Sequence, residues 1–140
     1  MIALDTSGLL AALDPGQSSH TRAKAALEAA VPPLLLSPFI LAELDYLIGK
    51  HVSPKAAQSL LDEVAHGAYY LVAFDNEAIQ GSLELIQRYA DMNIGLADAS
   101  VWYLAVRYRS RDILTLDERH FRAFTDFSGR PFRLLPVDAI

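Results

Sequence analysis

At 140 residues the chain is long enough for one domain with a substantial core, and 52% apolar against 21% charged residues excludes a disordered chain. The absence of cysteine excludes disulfides, thiolate catalysis and cysteine-ligated zinc or iron–sulfur sites. A net charge of −5 argues against nucleic-acid binding through bulk charge, and no apolar run is long enough to cross a bilayer.

No basic region precedes the apolar N-terminus, so the expectation is a cytoplasmic protein with no signal peptide and no membrane partner. The charge is uneven. Residues 1–106 hold five Lys/Arg and twelve Asp/Glu, whereas residues 107–140 hold seven arginines and five acids. That late basic segment is either a track for phosphates or a solvated surface of ion pairs.

Ile2-Ala3-Leu4 is a short apolar run ending at Asp5 and predicts a first strand. Ser7 to Leu13 is a short apolar helix, stopped by the turn Asp14-Pro15-Gly16. A second helix follows Ser18 and Ser19, with Ala23, Ala26, Leu27 and Ala30 as its stripe, and Pro32-Pro33 ends it. Leu34-Leu35-Leu36 is a second strand. Ser37 and Pro38 cap a helix to about Ile48, with Ile40, Leu44, Leu47 and Ile48 inward and Gly49 as the stop. Ser53-Pro54 repeats that signature for a helix to about His66, burying Ala56, Ala57, Leu60, Leu61 and Val64.

Tyr69 to Phe74 predicts a third strand. Asp75 caps a long helix with the stripe Ile79, Leu83, Ile86 and Ala90. A loop from Asp91 to Gly95 leads to a helix through about Tyr108. Ile113 to Leu116 is a fourth strand, ending at Asp117, and Phe132 to Leu135 a fifth. Continuous apolar strands separated by helices predict an α/β fold over residues 1–140, with a mainly parallel sheet covered on both faces.

Four acids in this layout attract chemistry. Asp5 and Asp117 each end a strand, where ligands bind in parallel sheets, although each could simply open a turn or cap a helix. Glu43 lies mid-helix between Ile40 and Leu47, on or beside the apolar stripe, so it needs a partner or must reach water. Asp98 opens a helix, where an acid also suits the dipole. If the four converge, they cannot all stay ionised without a cation. An all-oxygen set suits Mg²⁺ or Mn²⁺, and such a centre suits phosphodiester hydrolysis by an activated water. Thr6, Ser7 and Thr115 could orient the carboxylates or serve as ordinary turn and strand residues. His120 is read as structural or phosphate-contacting, not as a ligand. Arg119 and Arg122 are candidates for RNA contact. A phosphoacceptor domain ranks last, because no Lys follows Leu114.

Asp5-Thr6-Ser7-Gly8-Leu9-Leu10 resembles the opening of the PIN-domain nucleases, and of VapC-type toxin ribonucleases in particular. Ser37-Pro38 with Leu41-Ala42-Glu43-Leu44 resembles the second acidic motif of that family. Tyr89-Ala90-Asp91 through Ile94-Gly95-Leu96-Ala97-Asp98-Ala99 resembles its third. Ile113-Leu114-Thr115-Leu116-Asp117, then Arg119-His120-Phe121, resembles its fourth. The resemblance implies a three-layer α/β/α sandwich with four to five strands. It implies a Mg²⁺ or Mn²⁺ site of Asp5, Glu43 and Asp98, with Asp117 as a looser fourth acid. It further implies an endoribonuclease acting on structured RNA, a homodimer, and inhibition by a small antitoxin protein. The alternative is a catalytically inactive PIN-like interaction module.

Overall fold

The computed structural model describes residues 1–139. Strands β1 (Ile2–Leu4), β2 (Leu34–Leu36), β3 (Tyr70–Leu71), β4 (Asp112–Leu114) and β5 (Arg133–Leu135) form one sheet in the order β3-β2-β1-β4-β5. Every pairing is parallel, with Ala3 opposite Leu35 on one side and Ile113 on the other. Ile2, Ala3, Leu4, Leu35, Leu36, Ile113 and Leu114 are all buried, which is why the inner strands read as unbroken apolar runs.

The helices are α1 (Thr6–Leu13), α2 (His20–Ala29), α3 (Pro38–His51), α4 (Pro54–Ala65), α5 (Asn76–Arg88), α6 (Leu96–Arg107) and α7 (Glu118–Phe121), with a short 3-10 turn at Ala90–Met92. Chain order moves outward from β1 through β2 to β3, then jumps back across the sheet to β4. Right-handed crossovers therefore put α1 to α4 on one face and α5 and α6 on the other, giving the three layers. The strand order reverses between β1 and β4. Their carboxyl ends flank the crevice where a parallel sheet places its ligand.

One close approach holds that crevice narrow. A Cβ on Gly8 would sit 2.4 Å from the Leu114 carbonyl oxygen, so only glycine lets α1 press against the end of β4. The Asp5 amide then donates to that same Leu114 carbonyl at 3.0 Å.

Several elements differ from expectation. The third strand shrinks to Tyr70–Leu71, paired at the sheet edge with Leu35 and Leu36, and the Val72 amide makes the last bond, to the Leu36 carbonyl at 3.0 Å. Helix α3 runs through Gly49 to His51, where the Val52 amide still donates to Ile48 at 2.9 Å. In α4, Leu61 is 41% exposed and lies off the inner face. In α5 the stripe is rotated: Ala78, Ser82 and Leu85 are buried, while Ile79 and Leu83 face outward. The cause is close packing on α6, since a Cβ on Gly81 would meet the Tyr103 ring at 2.6 Å. Small residues turn inward there, and the Ser82 hydroxyl is satisfied by the Ala78 carbonyl at 2.9 Å. Helix α7 was not expected; Asp117 creates it by accepting the His120 amide at 3.1 Å.

Candidate metal centre

Asp5 occupies the residue before α1, yet its side chain makes no capping bond to that helix. It is 3% exposed. Its Oδ2 accepts from the Thr115 hydroxyl at 2.6 Å and from the Ser7 hydroxyl at 2.9 Å. Burial pushes its carboxyl from 3.8 up to about 6 against the pull of the Thr115 hydroxyl, and the charge on Asp98 adds to the rise.

The same two hydroxyls position the start of the α7 segment. Thr115 Oγ1 accepts the Asp117 amide and Ser7 Oγ accepts the Leu116 amide, both at 2.9 Å. Asp117 therefore hangs from the group that holds Asp5. Its Oδ1 caps α7, and its Oδ2 lies 2.9 Å from His120 Nδ1.

Asp98 projects from the first turn of α6. Its Oδ2 is 3.5 Å from the same His120 nitrogen. Burial raises its pKa; His120 opposes the rise, and the charges of Asp117 and Glu43 add to it. Asp98 thus feels Asp5, Glu43 and Asp117 together. One ligand atom each from Asp98, Asp117 and His120 lie within 4.8 Å of one another.

Glu43 does not need a partner for the reason its spacing suggested. It is exposed on α3, at the edge of the buried stripe. The Thr6 hydroxyl, from the first turn of α1, donates to its Oε1 at 2.5 Å. Lys50 does not pair with it; that ammonium lies over the Tyr46 ring, 5.8 Å from its centroid. The hydroxyls of Ser37 and Ser100 meet 2.7 Å apart, both fully buried, and tie the start of α3 to that of α6. That link fixes the helices carrying Glu43 and Asp98 relative to each other.

Ser100 escaped sequence reasoning, whereas His120 is already read there as structural or phosphate-contacting. Ser100 carried only the weak signal of a hydroxyl inside the apolar stretch Ala99-Ser100-Val101. His120 sits deeper in the site than a phosphate contact would. Its ring stacks flat on Phe124, and Nε2 lies 3.2 Å from the Met92 carbonyl. Oxygen thus faces both ring nitrogens.

Three of the seven late arginines are held in ion pairs. Arg122 makes a bidentate pair with Asp138 at 2.7 and 2.6 Å and also reaches Glu118 at 3.1 Å. Arg133 pairs with Asp112, and Arg111 with Asp126. These are the ion pairs of the solvated-surface reading. Arg119 is exposed and makes no ion pair among the described residues.

A family model for the PIN domain matches residues 2–126. The chain is 38% identical over 133 residues to Ribonuclease VapC26 of Mycobacterium tuberculosis, covering 95% of this chain and 98% of that protein. Among solved structures, the fold resembles Mycobacterium tuberculosis VapC20, a sarcin-ricin loop cleaving toxin. The TM-score is 0.77 at 18% identity, covering 84% of this chain and 90% of that one. It also resembles a toxin–antitoxin complex from Klebsiella pneumoniae, with a TM-score of 0.66 at 22% identity, covering 88% and 91%. Four acidic motifs in order, a parallel sheet ordered β3-β2-β1-β4-β5 and these likenesses agree: the chain belongs to the PIN domain family.

Proposed function

We propose that this chain is a Mg²⁺- or Mn²⁺-dependent endoribonuclease, the toxin of a toxin–antitoxin pair, hydrolysing phosphodiester bonds in structured RNA. The observation that supports the reading is that Asp98, beside Asp117, feels the charges of Asp5, Glu43 and Asp117, with the carboxyls of Asp5 and Asp98 both pushed upward. Buried acids that repel one another lower stability unless a cation joins them. Their oxygens fit a hard divalent ion, which PIN nucleases use as a family.

Asp5, Glu43, Asp98 and Asp117 would hold the ion. When bound, it supplies charge neutralisation at the phosphate and polarises the phosphoryl oxygen. The chain does the rest. Ser7 and Thr115 hold Oδ2 of Asp5 and leave its other oxygen for the crevice. Thr6 aims Glu43. A carboxylate oxygen of Asp98, in the half-buried mouth of the site, would accept the proton of the attacking water and pass it to the leaving oxygen as the P–O bond breaks. His120 keeps Asp117 turned toward the cluster. Arg119 is the remaining cation of the motif for an RNA phosphate, while Arg122 is committed to Asp138 and Glu118.

A small cognate antitoxin is the partner proposed, supported by the toxin–antitoxin complex among similar structures. A homodimer and a cytoplasmic location complete the proposal; no helix among the described residues is long and apolar enough to cross a membrane. The test is incubation of purified protein with total RNA, with Mn²⁺ or Mg²⁺ and with EDTA, followed by mapping of the cut ends. Cleavage should need the metal and vanish in Asp5→Asn and Asp98→Asn variants that remain folded. Full-rate cleavage by either variant refutes the assignment.

A further inference from the structure

The segment after α7 carries a feature that the acid cluster does not use. Thr125 and Pro131 form an antiparallel bridge that closes a short loop. Asp126 locks the loop from inside: its Oδ1 accepts the Ser128 amide at 2.9 Å, the Ser128 hydroxyl at 2.7 Å and the Arg130 amide at 2.9 Å. Its Oδ2 takes Arg111 at 2.7 Å. At the tip of this fixed loop, Phe127 is 72% exposed. Its ring stands edge-on to Trp102, with centroids 5.7 Å apart and planes at 82°. Trp102 is buried and anchored by its own N–H to the Thr125 carbonyl at 2.8 Å. A large apolar ring is thus held out in water by a rigid support.

Cations surround it. Phe127, Arg109, Arg111 and Arg130 line a cavity of about 500 Å³. Arg111 is spent on Asp126, but Arg109 and Arg130 make no ion pair among the described residues. Arg109 also sits at φ +58, immediately past the end of α6, where glycine is the usual residue. An arginine is kept at a backbone position that disfavours side chains.

We propose that Phe127, with Arg109 and Arg130, is an accessory RNA site, with the ring stacking an unpaired base and the guanidinium groups taking flanking phosphates. This rests on the ribonuclease reading and extends it to how the substrate is held. An aromatic platform beside a positive groove is how single-stranded nucleic acid is bound without a sequence code. Location supports it. Trp102, beneath Phe127, lies one turn of α6 beyond Asp98, about 6 Å along the axis, and Arg109 lies past the far end of that helix, about 16 Å from Asp98, so only a substrate longer than a few nucleotides reaches both the acids and the arginines. On the opposite side of Phe127, Glu77 and Glu84 offset Arg107 and Arg109, whereas the Arg130 side sets Arg109, Arg111 and Arg130 against Asp126 alone, so the strand runs on the Arg130 side. A second copy of the chain fits less well. A two-fold contact would set arginines against arginines around a single exposed ring.

The sole tryptophan makes the site readable without catalysis. A stem-loop RNA titrated into wild-type protein should change Trp102 emission. Phe127→Ala should weaken the affinity about tenfold, in line with the loss of one base–aromatic stack. Phe127→Leu should weaken it similarly, because a branched chain fills space but does not stack. Arg109→Ala with Arg130→Ala should lower the salt slope of binding by about two. In cleavage, Phe127→Ala should raise KM for the stem-loop with kcat unchanged, and leave kcat/KM for a four-nucleotide substrate unchanged.

Equal affinity of Phe127→Ala and wild type overturns the proposal. So does an equal loss on long and short substrates, which would mean that Phe127 acts through the fold. A fall in oligomer mass in Phe127→Ala makes the patch an interface between copies and also overturns it. A Trp102 response to a synthetic acidic peptide but not to RNA assigns the patch to a protein partner and overturns it as well. If wild type cleaves no RNA with either metal, the ribonuclease reading fails, while the Trp102 titration still decides the accessory site.

Discussion

Replacing Asp5 with Asn should stabilise the metal-free protein while abolishing its response to Mg²⁺. The side chain keeps its shape, and the amide oxygen can still accept from Ser7 and Thr115, as Oδ2 does in the native protein. What goes is a buried charge. The unfolded carboxyl titrates near 3.8 and the folded one at about 6. Below 3.8 both states are protonated and the wild type carries no penalty from ionising. As pH rises through that window the unfolded chain releases its proton first, so wild-type stability falls until the folded group has also ionised, above about 6. At about 1.36 kcal/mol per pH unit, the gap amounts to about 3 kcal/mol. For a domain of this size that is a rise of roughly 10 °C in Tm. Urea unfolding of both proteins in EDTA, at steps from pH 4 to pH 8, measures it. The two curves should converge near pH 4 and separate toward pH 7. Added Mg²⁺ should then raise the wild type alone, by about 2.7 kcal/mol at a hundred times its dissociation constant. An Asn variant no more stable than wild type at pH 8, or a gain independent of pH, would refute the reasoning.

Thr115→Val keeps the shape of the strand end and removes the hydroxyl that holds both Asp5 and the Asp117 amide; calorimetry should show metal affinity falling about 10- to 100-fold. Gly8→Ala drives a methyl into the Leu114 carbonyl and should cost about 3 kcal/mol in urea unfolding. Arg119→Ala should reduce the salt slope of RNA binding by about one. Arg122→Ala should leave that slope alone and lower Tm instead, because its guanidinium is held by Asp138 and Glu118.

The parts of the fold that were legible in the sequence are those where burial is total. Leu34-Leu35-Leu36 and Ile113-Leu114 are apolar because both of their faces are covered, and a continuous run is the direct trace of that. Helix α5 was misread because its large residues, Ile79 and Leu83, are not its packed ones. Contact with Tyr103 demands small residues, and spacing alone records where apolar side chains lie, not which of them are needed inside. Asp5, Asp98 and Asp117 were legible as strand-end and helix-start residues, and Glu43 as a mid-helix acid beside an apolar stripe. Their support was legible only in part. Thr6 and Thr115 stand beside acids in the chain, but Ser100 meets Ser37 across 63 positions. The arginine segment stayed open between a phosphate track and ion pairs, because Asp112, Asp126 and Asp138, which hold Arg133, Arg111 and Arg122, are distant acids whose pairing only the tertiary fold decides.

The Thr115 hydroxyl that holds Asp5 does so across 110 positions of chain. Contacts of such separation form late, after loop closure has already cost its entropy. A ribosome releases the N-terminal motifs long before Thr115 emerges, and during that interval Asp5 lacks the Thr115 hydroxyl and, for most of it, Asp98. An unfinished chain therefore carries the first two acidic motifs without a pocket. For a protein that would cut RNA while being made beside RNA, the fold itself delays the hazard until Thr115 and Asp117 have been made.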